Sequence, residues 1–164
     1  MYAKLLFIIF LQVDFSCFFA QTNEPLVHLP NGWIRGRQDV TVKNVTFYAF
    51  EKIPFAAPPV GDLRFKPPQP PQNWSNILNT THLDKICFQL SRKGPESEDC
   101  LYLNVFTPQI SGDGLPVMFY VHGGGFYDGT ARNLGPDLFI DNGVIFVAAN
   151  CRLGPFGSCF YFPN

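Results

Sequence analysis

Three consecutive glycines stand where exposed backbone can do chemistry. The run His122-Gly123-Gly124-Gly125-Phe126 follows directly on the apolar stretch 116–121. Glycines leaving the end of a core strand let bare N–H groups turn toward an incoming oxygen without side-chain obstruction. Two such donors form an oxyanion hole, which stabilises the charge developing on a carbonyl oxygen under nucleophilic attack. Gly124 and Gly125 are the expected donors, and His122, Gly123 and Phe126 complete the motif. Taken bare, three glycines equally allow a sharp turn and nothing more. Their place at a strand end, with Phe126 and Tyr127 at hand to wall an apolar acyl pocket, tips the balance toward acyl transfer. Such chemistry also needs a nucleophile and a base. His28 and His82 lie in upstream strand or polar segments and His122 belongs to the glycine motif, so each histidine reads as structural.

The elements that must position this loop are strand-like. Residues 101–106, 117–121 and 144–149 are strand-like runs; the last two are almost uniformly apolar and are expected to be buried on both faces of a helix-covered sheet. Residues 137–141 suit a short helical turn that Asn142-Gly143 ends. Upstream, Asn31-Gly32 between two short apolar runs predicts a tight hairpin. Val40, Val42, Val45, Phe47 and Phe50 predict a second hairpin arm, irregular around Lys43-Asn44. Seven prolines from Pro54 to Pro71 exclude regular helix. That stiff connection is expected to pack Phe55, Val60, Leu63 and Phe65 against a core.

Composition bounds the function. The chain has 164 residues, of which 46% are hydrophobic and 16% aromatic, enough to bury a core of about one domain. A net charge of -1 with no basic run argues against a nucleic-acid partner. Residues 1–20 read as a signal peptide, with Lys4 ahead of an apolar run and Ala20 as the small residue for cleavage; residues 21–164 form the mature part. The seven-residue run Leu5 to Leu11 is too short to span a bilayer of about 30 Å, so no membrane span is expected. Export suits the three N-glycosylation acceptors Asn44, Asn73 and Asn79. With Cys17 in the leader, Cys87, Cys100, Cys151 and Cys159 allow three pairings. Local spacing favours Cys87 with Cys100, a closure that contributes about 3 kcal/mol.

Four segments in order then carry a resemblance. These are the proline-rich stretch from Ile53-Pro54-Phe55 to Leu63-Arg64-Phe65, the segment Glu98-Asp99-Cys100-Leu101-Tyr102-Leu103-Asn104-Val105, the triple glycine, and Asn150-Cys151-Arg152-Leu153-Gly154. Together they are similar to the type-B carboxylesterase and cholinesterase family. The resemblance implies the N-terminal portion of an α/β-hydrolase fold: a mixed, mostly parallel central sheet preceded by a small antiparallel hairpin region, and truncated. It implies a secreted serine esterase that cleaves small-molecule carboxylic esters through an acyl-enzyme, without metal or organic cofactor. It also implies a Cys87–Cys100 disulfide, a buried Arg64–Glu98 ion pair, and an acidic partner for Arg152 beyond the last residue.

The sequence departs from the family pattern in places. Lys52 stands where glycine is usual, Cys151 where tyrosine is usual, and residues 158–164 match nothing expected of the family. No G-x-S-x-G occurs among the 164 residues, so the strained turn that exposes a catalytic serine is absent, as are the acid and histidine of a triad. The chain alone is therefore expected to be inactive and to hydrolyse no esters. A second reading is an esterase-like extracellular binding or adhesion protein that keeps the fold without the chemistry.

Overall fold

The structure, a computed structural model, describes residues 24–89, 94–112 and 114–157. The expected leader at 1–20, Cys17, Cys159 and the divergent end at 158–164 lie outside the described residues. The first hairpin forms one residue earlier than its Asn-Gly pair predicts. Strand β1 (Leu26–Leu29) pairs antiparallel with β2 (Gly32–Arg35), Leu29 opposite Gly32, so Pro30 and Asn31 make the turn and Gly32 opens the second strand. Gly32 has φ +142, and a Cβ there would meet the Trp74 carbonyl oxygen at 2.5 Å. Backbone conformation and close approach both select glycine.

Strands β3 (Arg37–Val40) and β4 (Thr46–Pro54) form the second hairpin, with Asn44 at φ 61 in its turn. The proline-rich connection that follows holds a single 3-10 turn, Gly61–Leu63. Its expected packing is corrected: Phe55, Val60 and Phe65 are exposed, and Ala56 and Pro59 are buried instead, Ala56 against Cys87, Cys100, Leu101 and Leu153. Locked proline torsions set no periodicity that would aim successive aromatics at one face. Strand β5 (Leu78–Asn79) adds parallel to β2, and the short strands β6 (Ile86–Cys87) and β7 (Glu96–Ser97) pair parallel.

The main sheet is completed by β8 (Tyr102–Thr107), β9 (Val117–Val121) and β10 (Ile145–Ala149), with helix α1 (Asp137–Ile140) between the last two. Its order is β3-β4-β8-β10-β9. The sheet is mixed, as expected. Within the described residues its parallel share is confined to β9–β10, and the other pairings are antiparallel. A parallel pair needs a long crossover, and the stretch carrying the glycines and α1 supplies it here.

One sheet face buries Phe47, Ala49, Phe106, Phe146 and Ala148 beneath Ile140 and Ala131. The other packs Phe50, Ile53, Leu103 and Val105 against Ile34, Val27 and Leu78 of the three-stranded sheet β1-β2-β5. The expectation that 117–121 is buried on both faces is corrected. All five β9 residues are exposed, from 40% for Tyr120 to 65% for Val121. β9 is the edge strand of the described sheet, whereas β10, with a neighbour on each side, buries Phe146 and Ala148. Among the described residues no helix is long and apolar enough to cross a membrane.

Candidate active site

Parallel pairing puts the C-terminal ends of β9 and β10 side by side, with Val121 opposite Ala149. The residues leaving those ends, His122 to Phe126 on one strand and Asn150 to Leu153 on the other, therefore face one another. This is where open α/β sheets bind ligands. The backbone turns sharply: Gly124 has φ +125, Gly125 φ +59 and Phe126 φ +66. The amides of Tyr127 and Asp128 both donate to the Gly124 carbonyl oxygen, at 3.0 and 3.2 Å, and the Gly154 amide donates to the Phe126 carbonyl at 2.7 Å. Among the described residues no hydrogen bond is donated by the amides of Gly123, Gly124 or Gly125. The three glycines line a cavity of about 130 Å³ formed by residues 121–126 with Cys151 and Leu153. Phe126 contributes to its wall, but Tyr127 does not, and both rings are largely exposed.

Three buried amide side chains hold the loop in place, and the motif-based reading assigned none of them a role. Gln89 accepts from the Gly129 amide at 3.0 Å and donates to the Gly129 carbonyl at 3.2 Å, mimicking a strand neighbour. Asn104 donates to the Ala131 carbonyl at 2.9 Å, and Asn150 accepts from the Ala131 amide at 2.8 Å. Ala131 is thus clamped from both sides. Buried backbone groups outside a sheet need such partners. A polar side chain in an otherwise apolar strand, as at Asn104 in Leu103-Asn104-Val105, was the signal available in the sequence.

His122 sits at the mouth of the loop. Its Nδ1 lies 3.0 Å from the Gly123 carbonyl oxygen and its Nε2 3.4 Å from Cys151 Sγ. Gly129, with φ +135, packs on this ring, and a Cβ there would meet imidazole Cε1 at 2.7 Å. Burial pushes the Cys151 thiol pKa up. His28 rests on Trp33, His82 is exposed, and neither lines the cavity.

The remaining singled-out residues lie away from the glycines. Cys87 and Cys100 form a disulfide with Cα atoms 4.9 Å apart. Arg64 and Glu98 meet in a bidentate pair at 2.5 and 2.9 Å that ties the proline-rich segment to the approach of β8. The pair is not buried: its side chains are 42% and 25% exposed, because the proline-rich segment runs over the surface. Arg152 lines a small cavity beside that pair, and burial lowers its pKa. Asn44, Asn73 and Asn79 are all exposed. Lys52, the residue standing in for glycine, has φ +65 at a register shift between Phe50 and Ile53 in the β4–β8 pairing. Its amide donates to Asn104 Oδ1 at 3.0 Å and its ammonium pairs with Asp84 at 2.7 Å.

Residues 23–160 match the sequence profile of the Carboxylesterase family. Juvenile hormone esterase of Tribolium castaneum is 42% identical over 143 residues, covering 82% of this chain and 24% of that protein. Venom carboxylesterase-6 of Apis mellifera is 39% identical over 142 residues, covering 81% of this chain and 26% of that protein. Among solved structures, juvenile hormone esterase from Manduca sexta with OTFP covalently attached superposes with a TM-score of 0.75 at 34% identity. It covers 81% of this chain and 27% of that one. The chain thus spans about a quarter of the length of these relatives. With its mixed sheet built as in these structures and its glycine loop at the strand ends, the chain belongs to the carboxylesterase family and has the α/β-hydrolase fold over the part it covers.

Proposed function

We propose that this chain contributes the oxyanion loop of a secreted carboxylic ester hydrolase that acts on small-molecule carboxylic esters through an acyl-serine intermediate. The observation that carries the reading is the pair of left-handed glycines, Gly124 and Gly125, which line the cavity and whose amides donate no hydrogen bond among the described residues. Preorganised donors of this kind stabilise the tetrahedral oxyanion without reorganising during reaction. The serine that attacks, the histidine that moves its proton and the acid that orients the histidine are not supplied by these 164 residues, which hold no G-x-S-x-G. The Manduca sexta relative, with OTFP covalently attached, is in keeping with covalent chemistry at such a site.

Reading the transcript downstream of the Asn164 codon tests the assignment directly. A G-x-S-x-G in frame is expected, and its absence points instead to a binding protein. In the encoded enzyme, Gly125→Ala should lower kcat for an aryl ester by about 100- to 1,000-fold with KM little changed. Unchanged turnover would remove the oxyanion role from this loop.

A further inference from the structure

Cys151 and His122 form a second chemical unit in the same cavity. A carbonyl oxygen can only accept, so at 3.0 Å from Gly123 O the His122 Nδ1 must carry the proton. That tautomer leaves the Nε2 lone pair facing the Cys151 thiol at 3.4 Å. The ring has little freedom to turn, since Gly129 packs against it with no room for a side chain. Cys151 is the cysteine outside the disulfide among the described residues and lines the cavity together with the three glycines. A thiol, an oriented imidazole acceptor and two cavity-lining glycines whose amides donate no hydrogen bond among the described residues form a nucleophile–base–oxyanion arrangement.

We propose that Cys151 is an acyl acceptor, its thiol taking an acyl group from an activated ester seated in the glycine-lined cavity with His122 as general base. The S–H proton passes to Nε2 as sulfur attacks the ester carbonyl carbon. The resulting oxyanion lies toward the Gly124 and Gly125 amides. Collapse breaks the ester C–O bond, and the imidazolium returns the proton to the departing oxygen. One thioester and one alcohol or phenol are formed, His122 is neutral again, and no oxidation state changes. Because burial holds the resting thiol protonated, the reaction depends on the neighbouring imidazole. The acyl step rests on the oxyanion reading above; the thiol–imidazole pair does not.

The test treats the full chain, with Cys87–Cys100 oxidised, with p-nitrophenyl acetate and in parallel with iodoacetamide, following each cysteine peptide by mass spectrometry. Cys151 should gain one acetyl group, with a matching single equivalent of p-nitrophenol and no further turnover, and should outpace Cys159 in both reactions. His122→Gln should slow both reactions at Cys151 by about 100-fold. Gly125→Ala should slow acetylation by about 100-fold and leave alkylation unchanged. If alkylation and acetylation both respond to His122→Gln but neither responds to Gly125→Ala, the acceptor site stands and the oxyanion reading falls. Since His122→Gln can unsettle the loop, Cys151→Ser provides a second variant, which must abolish the p-nitrophenol burst. A burst retained in Cys151→Ser, or acetylation of Cys151 no faster than of Cys159, would overturn the proposal.

Discussion

Three adjacent glycines face three different physical demands. Gly123 has open space around its Cβ direction, Gly125 combines φ +59 with a nearest neighbour at 3.8 Å, and at Gly124 a Cβ would overlap the Asp128 carbonyl on a φ of +125. Gly123→Ala is therefore expected to stay within about 0.5 kcal/mol of the parent, whereas Gly124→Ala should lose about 3 kcal/mol through strain and overlap with backbone. Urea midpoints measured side by side check this, and equal midpoints would mean the loop is not built as described. Lys52 is the converse case, a side chain in a glycine-like conformation. Lys52→Gly should leave stability level or raise it by up to about 1 kcal/mol despite the lost surface pair with Asp84, whereas β-branched Lys52→Val should lower it by about 2 kcal/mol. A clearly weakened glycine variant would show that the ion pair outweighs the torsional cost.

Among elements, the connection from β9 to β10 is the one that makes the site, and it is held by side chains rather than by regular structure. Asn104→Ala would orphan the Lys52 amide and the Ala131 carbonyl together. A loss of about 2 to 3 kcal/mol is expected. Hydrogen exchange separates this from a general loosening: the Ala131 amide, which donates to Asn150, should lose protection ahead of the β8 and β10 amides. Uniform acceleration across the sheet would argue that Asn104 supports the core and not the loop. The short helix α1 is tied to the opposite edge, where Thr41 Oγ1 donates to Asp141 at 2.7 Å and the Val42 amide donates to Asp137 at 2.9 Å. The crossover is thereby anchored at its far end as well.

Over the whole molecule, the surface bears on where the protein works. The asparagines of all three acceptor triplets are exposed, Asn44 at a hairpin tip, Asn73 beside Asn31 and Asn79 in β5, so folding leaves each open to a glycan. Expression in a secretory host should release a product cleaved near Ala20 with at least one glycan, seen as a mobility shift on glycosidase treatment. A retained leader with no shift would count against secretion. Much of the fold was legible in the sequence because it depends on local chemistry. The glycine loop, the hairpins and the strand runs 101–106 and 144–149 each announce themselves through backbone permissiveness or residue type over a few positions. Burial was not legible in the same way. The run 117–121 and the run 144–149 look alike, yet β9 is exposed at the sheet edge and β10 is central, because burial depends on which strands lie alongside and not on a strand's own residues. Likewise the Cys151–His122 approach and the amide clamps on Gly129 and Ala131 join residues separated by 19 to 40 positions. Only the parallel registry of β9 with β10 and the packing around it could bring those groups within hydrogen-bonding distance.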